Sequence, residues 1–252
     1  MTVCWLATAT YEEVAALDRA RAVVVLPLGA TEAHGPHLPL STDVIIVEAM
    51  ARSGAARLAA RGIPVAVAPT VALTPVPFAA AFAGSVGIEP ATLTATLVDT
   101  AAALAGHGFG RLVLISAHLD PAHLGAVHEA VRRIGATGMR VAFPDLTRKP
   151  WALRLGEEFR TGACHAGRFE TAIVLAERPE LVRAVRAELP PNPRSIAEAI
   201  RAGRRTFAEA GGPRAYFGWP ADATPEEGRT LVEALGGILE DAALALTADE
   251  GE

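Results

Sequence analysis

Apolar residues follow two rhythms along this chain. At 22–28, 65–69, 111–116 and 139–143 they run nearly without interruption, as in parallel strands covered on both faces. Between these runs they recur every three or four residues. Val44, Val47, Ala51 and Leu58 give 43–61 one apolar helical face, and Gly62 and Pro64 stop it. Pro90 and Pro121 open helices over 90–106 and 121–134 at the first helical position, where the N–H that proline lacks has no intrahelical partner. Thr10 caps a helix expected over 10–21, with Glu12 and Glu13 in its first turn. Further helices are expected at 167–177, ended by Pro179, at 196–210, whose arginines read as a solvated face, and at 225–246. The order βαβαβαβ predicts an α/β fold, a mainly parallel sheet with helices on both faces and right-handed crossovers. No repeat, linker or low-complexity tract intervenes, so 1–252 reads as a single domain.

Two stretches escape either rhythm. Residues 71–88 are rich in Pro, Ala and Gly, with Phe78 and Phe82, and a loop of that length suits a binding wall or lid. Residues 144–166 form a loop with Trp151 and a short helical piece. Composition narrows the picture further. Hydrophobic residues make up 51% and charged residues 20% of 252, which suits a folded α/β domain and argues against disorder. The net charge of −5 comes with scattered Lys and Arg and no basic stripe, which argues against a nucleic-acid partner. No apolar run approaches the ~20 residues of a membrane span, and no signal peptide is recognised, so the cytoplasm is the expected compartment. Cys4 and Cys164 cannot form a disulfide framework. Cys164, beside His165, is a conceivable nucleophile but reads better as a small buried residue.

The chemistry collects after the strands. The loop leaving 22–28 carries Glu32, His34, His37 and Asp43 among glycines and prolines. The loop leaving 111–116 carries His118, Asp120 and His123, and His165 and Glu170 flank the start of the 167–177 helix. In a parallel sheet such loops meet at one edge. Imidazoles and carboxylates without thiolates suit zinc, manganese or iron(II), and a carboxylate can bridge two ions that activate water between them. Asp43, at a helix start, is the best bridge, although Asp there also serves as an N-cap. Glu32 and His34, two residues apart, share a side of an extended segment. His37 and His123 are read as orienting ligands by hydrogen bonding. His107 and His128, within helices, carry no expected role.

The run Leu28-Gly-Ala-Thr-Glu-Ala-His-Gly-Pro-His-Leu-Pro-Leu-Ser-Thr-Asp43 closely resembles the signature of the creatininase (creatinine amidohydrolase) family. Phe82-Ala-Gly-Ser85, Ser116-Ala-His118, His165-Ala-Gly-Arg-Phe-Glu-Thr171 and Gly218-Trp-Pro-Ala-Asp-Ala-Thr-Pro-Glu-Glu-Gly228 resemble its later motifs in the family's order. The resemblance implies a three-layer α/β/α fold, two divalent ions (Zn and/or Mn, with Fe an option), a homo-oligomer, often a hexamer, and hydrolysis of an unusual amide bond. It implies Glu32, Asp43 and His118 on one ion. His34, Asp43 and a further acid, either Asp120 or Glu170, would hold the other. His165 resembles the histidine that passes a proton to the departing group, a role open also to Asp120.

This chain also departs from the family. Asn-Gly-His-Gly-Gly-Asn is replaced by Ser116-Ala-His-Leu-Asp-Pro121, and Thr161 and Gly162 stand where creatininase carries Trp-Asp. The expected pocket is more apolar, with Phe78, Phe82 and Trp151 or Trp219 on its walls, and creatinine is not the expected substrate. The expectation is a metal-dependent amidohydrolase acting on a small molecule: a cyclic amide, a formamide or the end of a small peptide. One form of it is a peptidase trimming a peptide-derived cofactor precursor of the mycofactocin type. The altered His118 segment also motivates the alternative of a catalytically silent relative that binds a ligand.

Overall fold

The structure, a computed structural model, describes residues 3–248; residues 1–2 and 249–252 of the expected 1–252 domain lie outside it. A short edge strand β1 (Cys4–Trp5) precedes helix α1 (Tyr11–Ala15) and strand β2 (Val23–Leu28). Helix α2 (Thr42–Ala60), strand β3 (Val65–Val67), helix α3 (Pro90–Gly106), strand β4 (Arg111–Ser116), helix α4 (Pro121–Gly135) and strand β5 (Arg140–Ala142) follow. The chain then passes to helices α5 (Gly156–Thr161), α6 (Arg168–Glu177), α7 (Ile196–Arg201) and α8 (Pro225–Ala245). The strands are all parallel, in the order β1-β3-β2-β4-β5.

Alternate residues of the central strands enter two separate cores. Val23, Val25, Val113 and Ile115 pack with α2, α6 and α8, whereas Val24, Leu26, Leu112 and Leu114 pack with α3 and α4. Each such side chain, fully buried, contributes about 1.5–3 kcal/mol of transfer free energy. This is the three-layer α/β/α arrangement, and it explains why β2 and β4 are apolar at every position except Arg111 and Ser116.

Two helices are shorter than their periodicity predicts. Helix α1 keeps its capping box between Thr10 and Glu13 but ends at Ala15, because the Asp18 carboxylate accepts from the Arg21 amide and turns the chain. Helix α7 ends at Arg201 instead of 210. Gly203 takes φ +78°, and the amides of Gly203 and Arg204 donate back to Ile200 and Ala199, which closes a Schellman-type cap. The edge strand β1 has no signal in so short a segment.

The connections place the site. From β2 the chain crosses one face by α2 to reach β3, and from β4 it crosses the opposite face by α4 to reach β5. The two connections diverge between β2 and β4, and a crevice opens at their carboxyl ends. Among the described residues no helix is long and apolar enough to cross a membrane.

Candidate metal centre

The loop after β2 returns beneath itself to start α2, and this brings Glu32, His34 and Asp43 together. Gly29 permits the return, since a Cβ there would sit 2.8 Å from the Val44 amide nitrogen. Gly35 turns the chain at φ +64°. Thr31 and Thr74 tie the loop to 71–88 by hydrogen bonds to the carbonyls of Ala72 and Gly29. The stretch 71–88 is thus packed against the loop and contributes to the cavity wall. It contributes a single turn of 3-10 helix at Pro77–Ala79 and the buried ring of Phe78.

Three groups of side chains converge. Glu32, Asp43 and His118 form one, His34, Asp43 and Glu170 a second, and Glu32, His34 and His165 a third. In each, the ligating atoms lie within 4.8 Å of one another. Nδ1 of His118 lies 3.1 Å from Glu32 Oε1 and 3.2 Å from Asp43 Oδ2. Nε2 of His34 lies 3.2 Å from Asp43 Oδ1 and 3.5 Å from Glu170 Oε2. The two oxygens of Asp43 thus face different histidines, the disposition a bridging carboxylate requires. Asp43 is in the first turn of α2 behind Ser41, and its carboxylate is committed to the cluster rather than to capping.

Each histidine is aimed by its other nitrogen. His118 Nε2 donates to the Pro75 carbonyl at 2.8 Å, His34 Nδ1 to the Glu32 carbonyl at 3.1 Å and His165 Nε2 to the Ala33 carbonyl at 3.0 Å. A ring N–H bound to a carbonyl leaves the opposite nitrogen as the lone-pair donor facing the carboxylates. His123 Nε2 donates to Ser116 Oγ at 2.9 Å, and that oxygen also bonds the backbone of His118 on both sides. His37 bonds Thr171, the neighbour of Glu170. His123 thus braces the Ser116–His118 turn, and His37 holds the residue beside Glu170. His128, in contrast, has a partner that its sequence position gives no hint of: its Nε2 lies 2.8 Å from Asp145.

Buried ionisable groups at this density need positive charge. Burial disfavours a charged His34, but Asp43, Glu170 and Glu32 outweigh it and push the imidazole up to about 10. Burial opposes charge on His118 too, and Glu32 and Asp43 nonetheless raise it well above its ordinary value. Burial, partly offset by His34 and reinforced by Asp43, pushes Glu170 up to about 8. The cluster thus draws protons onto the ring nitrogens that face it, protons that a divalent cation would displace. Glu32 Oε2, Asp43 Oδ2 and His34 Nε2 are buried and without a hydrogen-bond partner. Orphaned oxygens beside imidazole nitrogens aimed inward, once their protons are displaced, are a donor set that fits divalent cations.

The remaining residues occupy other positions. Asp120 caps α4: its Oδ1 accepts from the Ala122 amide at 2.8 Å and its Oδ2 from the Phe78 amide at 3.4 Å. It lines the cavity but belongs to none of the three groups. His165 is stacked on Phe207 with ring centroids 4.1 Å apart, and burial followed by the charge of His34 pushes it down to about 4. Cys164 lines the cavity too. Burial, then Glu170 and Glu158, raise its thiol well above the usual range, which disfavours a thiolate nucleophile.

The cavity over the cluster measures about 310 Å³. Of the aromatic residues expected on its walls, Phe78 is there, and Phe82, Trp151 and Trp219 are not. Phe159 and Phe207 take their place. Phe207 falls within the stretch read as helix, where its spacing gave no sign that it would meet His165. Glu158 was also not singled out. Buried beneath α6, it accepts hydrogen bonds from the amides of Arg168, Phe169 and Trp219 at 2.6–2.8 Å, and so braces the helix start that carries Glu170. Its contacts are remote in sequence, and no local pattern marks them.

Comparison with known proteins bears on the same elements. Residues 7–242 match the Creatininase family, described as creatinine amidohydrolase. A protein of Mycobacterium tuberculosis named mycofactocin precursor peptide peptidase is 33% identical over 220 residues, covering 84% of this chain and 80% of that protein. Creatinine amidohydrolase of Pseudomonas putida is 29% identical over 175 residues, covering 64% of this chain and 66% of that one. A crystal structure of creatinine amidohydrolase superposes with a TM-score of 0.70 at 25% identity, covering 96% of this chain and 97% of that one. Related structures of similar fold include forms described as creatininase Mn and creatininase of Zn-Zn type.

Proposed function

Because the chain belongs to the creatininase family, whose members hydrolyse carbon–nitrogen bonds, we propose that the cluster holds two divalent ions, zinc or manganese, and hydrolyses a small amide or short peptide. The observation that carries this reading is Asp43, with one carboxylate oxygen toward His34 and the other toward His118. Glu32, Asp43 and His118 would hold one ion, and His34, Asp43 and Glu170 the other. Glu170 is favoured over Asp120 as the second acid because both Asp120 oxygens already accept backbone amides. Such ions lower the pKa of water and polarise a carbonyl oxygen.

The chain's own residues supply the rest. The Nε2–H of His165 is anchored on Ala33, and its Nδ1 faces Glu32 at 4.0 Å. A neutral imidazole held this way takes a proton at Nδ1 and returns it to a departing nitrogen. Phe207, stacked on the ring, keeps water from its face. Asp120 stays at the cavity edge, where burial raises its carboxyl pKa, as a second proton carrier.

Among substrates a short peptide is favoured over creatinine. The relatives at 33% identity are named as peptide peptidases, and apolar phenylalanines line the cavity. We further propose a cytoplasmic homo-oligomer, a hexamer being the family's frequent form; the free cysteines suit a reducing compartment.

Metal analysis with anomalous scattering at two wavelengths tests the reading. Two divalent ions per chain are expected in the wild type. In Glu32→Gln and Asp43→Asn the metal content should fall, with hydrolysis reduced on the order of a thousandfold, as loss of several kcal/mol of charge stabilisation implies. A protein that takes up no stoichiometric metal, and hydrolyses as well after Glu32→Gln, would be the silent relative instead.

A further inference from the structure

The cavity is lined by buried acids and histidines and by exposed cations. Its lining joins the buried acid–histidine cluster, the side chains of Phe78, Phe207, Ile196 and Ile200, and the exposed residues Arg160 and Arg201. Both arginines are exposed, each in the last turn of its own short helix, Arg160 in α5 and Arg201 in α7. The two helices are docked on each other at Gly162. The Ile196 amide donates to the Gly162 carbonyl at 2.8 Å, and a Cβ on Gly162 would lie 2.7 Å from Ser195 Oγ and 2.9 Å from the Ala197 Cβ. That close approach brings two arginines from separate parts of the chain to the lining of one cavity.

A terminal arginine commonly does nothing more than complement a helix dipole or pair with an acid one turn back. Each of these has such an acid three residues earlier, Glu157 for Arg160 and Glu198 for Arg201. At the same spacing elsewhere, Asp18–Arg21, Glu129–Arg132 and Glu226–Arg229 close at 3.8, 2.7 and 2.7 Å. Glu157–Arg160 and Glu198–Arg201 do not close. Among the described residues neither guanidinium meets any carboxylate within 4.0 Å. In a chain of net charge −5, two exposed cations that line one cavity without a carboxylate partner mark a place for an anion.

We propose that Arg160 and Arg201 select the substrate by its carboxylate. The preferred substrate is an N-acyl amino acid, or the carboxyl-terminal residue of a short peptide, with an apolar side chain. Its carboxylate sits on the guanidiniums, whose planar forks match it, and its side chain lies against Phe78 and Phe207. Its amide lies over the cluster. A cavity of about 310 Å³ is at the small end of ligand sites and admits one such residue rather than a long segment. In the reaction the oxygen of water bonds to the acyl carbon and the carbon–nitrogen bond breaks. One proton of the water passes to the nitrogen, releasing an acid and an amino acid. The inference rests on the hydrolase reading above.

The test uses the metal-loaded full chain and N-formyl, N-acetyl and N-glycyl derivatives of phenylalanine and leucine, each as free acid, carboxamide and the matching phosphonate. Calorimetric binding and steady-state hydrolysis are both measured. Free acids are expected to bind at least tenfold more tightly than carboxamides and more tightly than phosphonates. In Arg160→Gln/Arg201→Gln the acid-to-amide preference collapses toward one through KM, with metal content unchanged. Arg132→Gln, a paired surface arginine, retains the preference. Equal binding of acids and amides, or a preference untouched in the double variant, overturns the proposal. So does tighter binding of phosphonates, which would assign the arginines to a phosphate-type group. If any of these appears while amides are still hydrolysed, the hydrolase reading stands. Acid-selective binding without hydrolysis of any substrate removes the hydrolase reading and leaves the anion site.

Discussion

His37 and His123 lie fully buried beside the cluster and serve it as neutral rings. Burial, then the charges of His34 and Arg186, push His37 down to about 4, and burial with His118 holds His123 well below its ordinary value. A depressed folded-state pKa has a definite consequence. Above about pH 6.5 both folded and unfolded chains carry the neutral ring, and its contribution to stability is complete. Below that the unfolded chain takes up the proton first, and stability falls until the folded ring also protonates, near pH 4 for His37. The slope is up to about 1.4 kcal/mol per pH unit for each ring. His37→Gln is therefore expected to flatten the loss of urea stability between pH 6.5 and 4, even if it lowers stability at pH 7. Parallel wild-type and variant curves across that range would contradict this account. That these histidines lie beside the cluster was legible, because each is within five residues of His34 or His118 in sequence. The role of Glu158 was not, since its three amide partners come from 10, 11 and 61 residues away.

At the scale of elements, α6 is held between the cluster and α8. Glu170 faces inward from its first turn, and Gly228, at the start of α8, lets the two helices touch. A Cβ on Gly228 would fall 1.9 Å from the Ala172 carbonyl oxygen. Helix propensity alone favours alanine over glycine by about 1 kcal/mol, so the sign of Gly228→Ala discriminates. The clash is with backbone, which cannot step aside as a side-chain tip can. A net loss of about 1–3 kcal/mol is expected, read as a lowered thermal midpoint. An unchanged or raised midpoint would mean that α8 shifts freely on α6. The helices around the sheet were readable from periodicity and proline placement. Helices α1 and α7 were overextended because the turn that ends each depends on one residue, Asp18 or Gly203, acting against an otherwise helical pattern.

At the scale of the whole molecule, the cluster sits where three separate parts of the chain meet: the loop after β2 with the start of α2, the loop after β4, and the start of α6. Anything that binds all three in the folded state alone stabilises the fold by mass action. Removing divalent ions with a chelator is expected to lower the unfolding midpoint. Saturation at a hundred times Kd corresponds to about 2.7 kcal/mol. Readdition of zinc or manganese should restore the midpoint, and Glu32→Gln should abolish the response. A midpoint indifferent to chelator and metal would separate the cluster from the stability of the fold.

The chain alone determined four of the five strands, most helices and the identity of the clustered residues, because apolar runs, proline and glycine are local signals and strand ends carry the polar loops. It also determined that Glu32, His34, Asp43, His118, His165 and Glu170 were of the right chemical types. Only the tertiary structure decided which of them meet. It left Asp120 as a cap at the cavity edge and brought Glu170 to His34. It stacked Phe207 on His165 and brought Arg160 and Arg201 to the lining of one cavity. The reason is physical: a donor set is defined by distances between atoms far apart in sequence, and those depend on how α6, α5 and α7 dock, which no local pattern encodes.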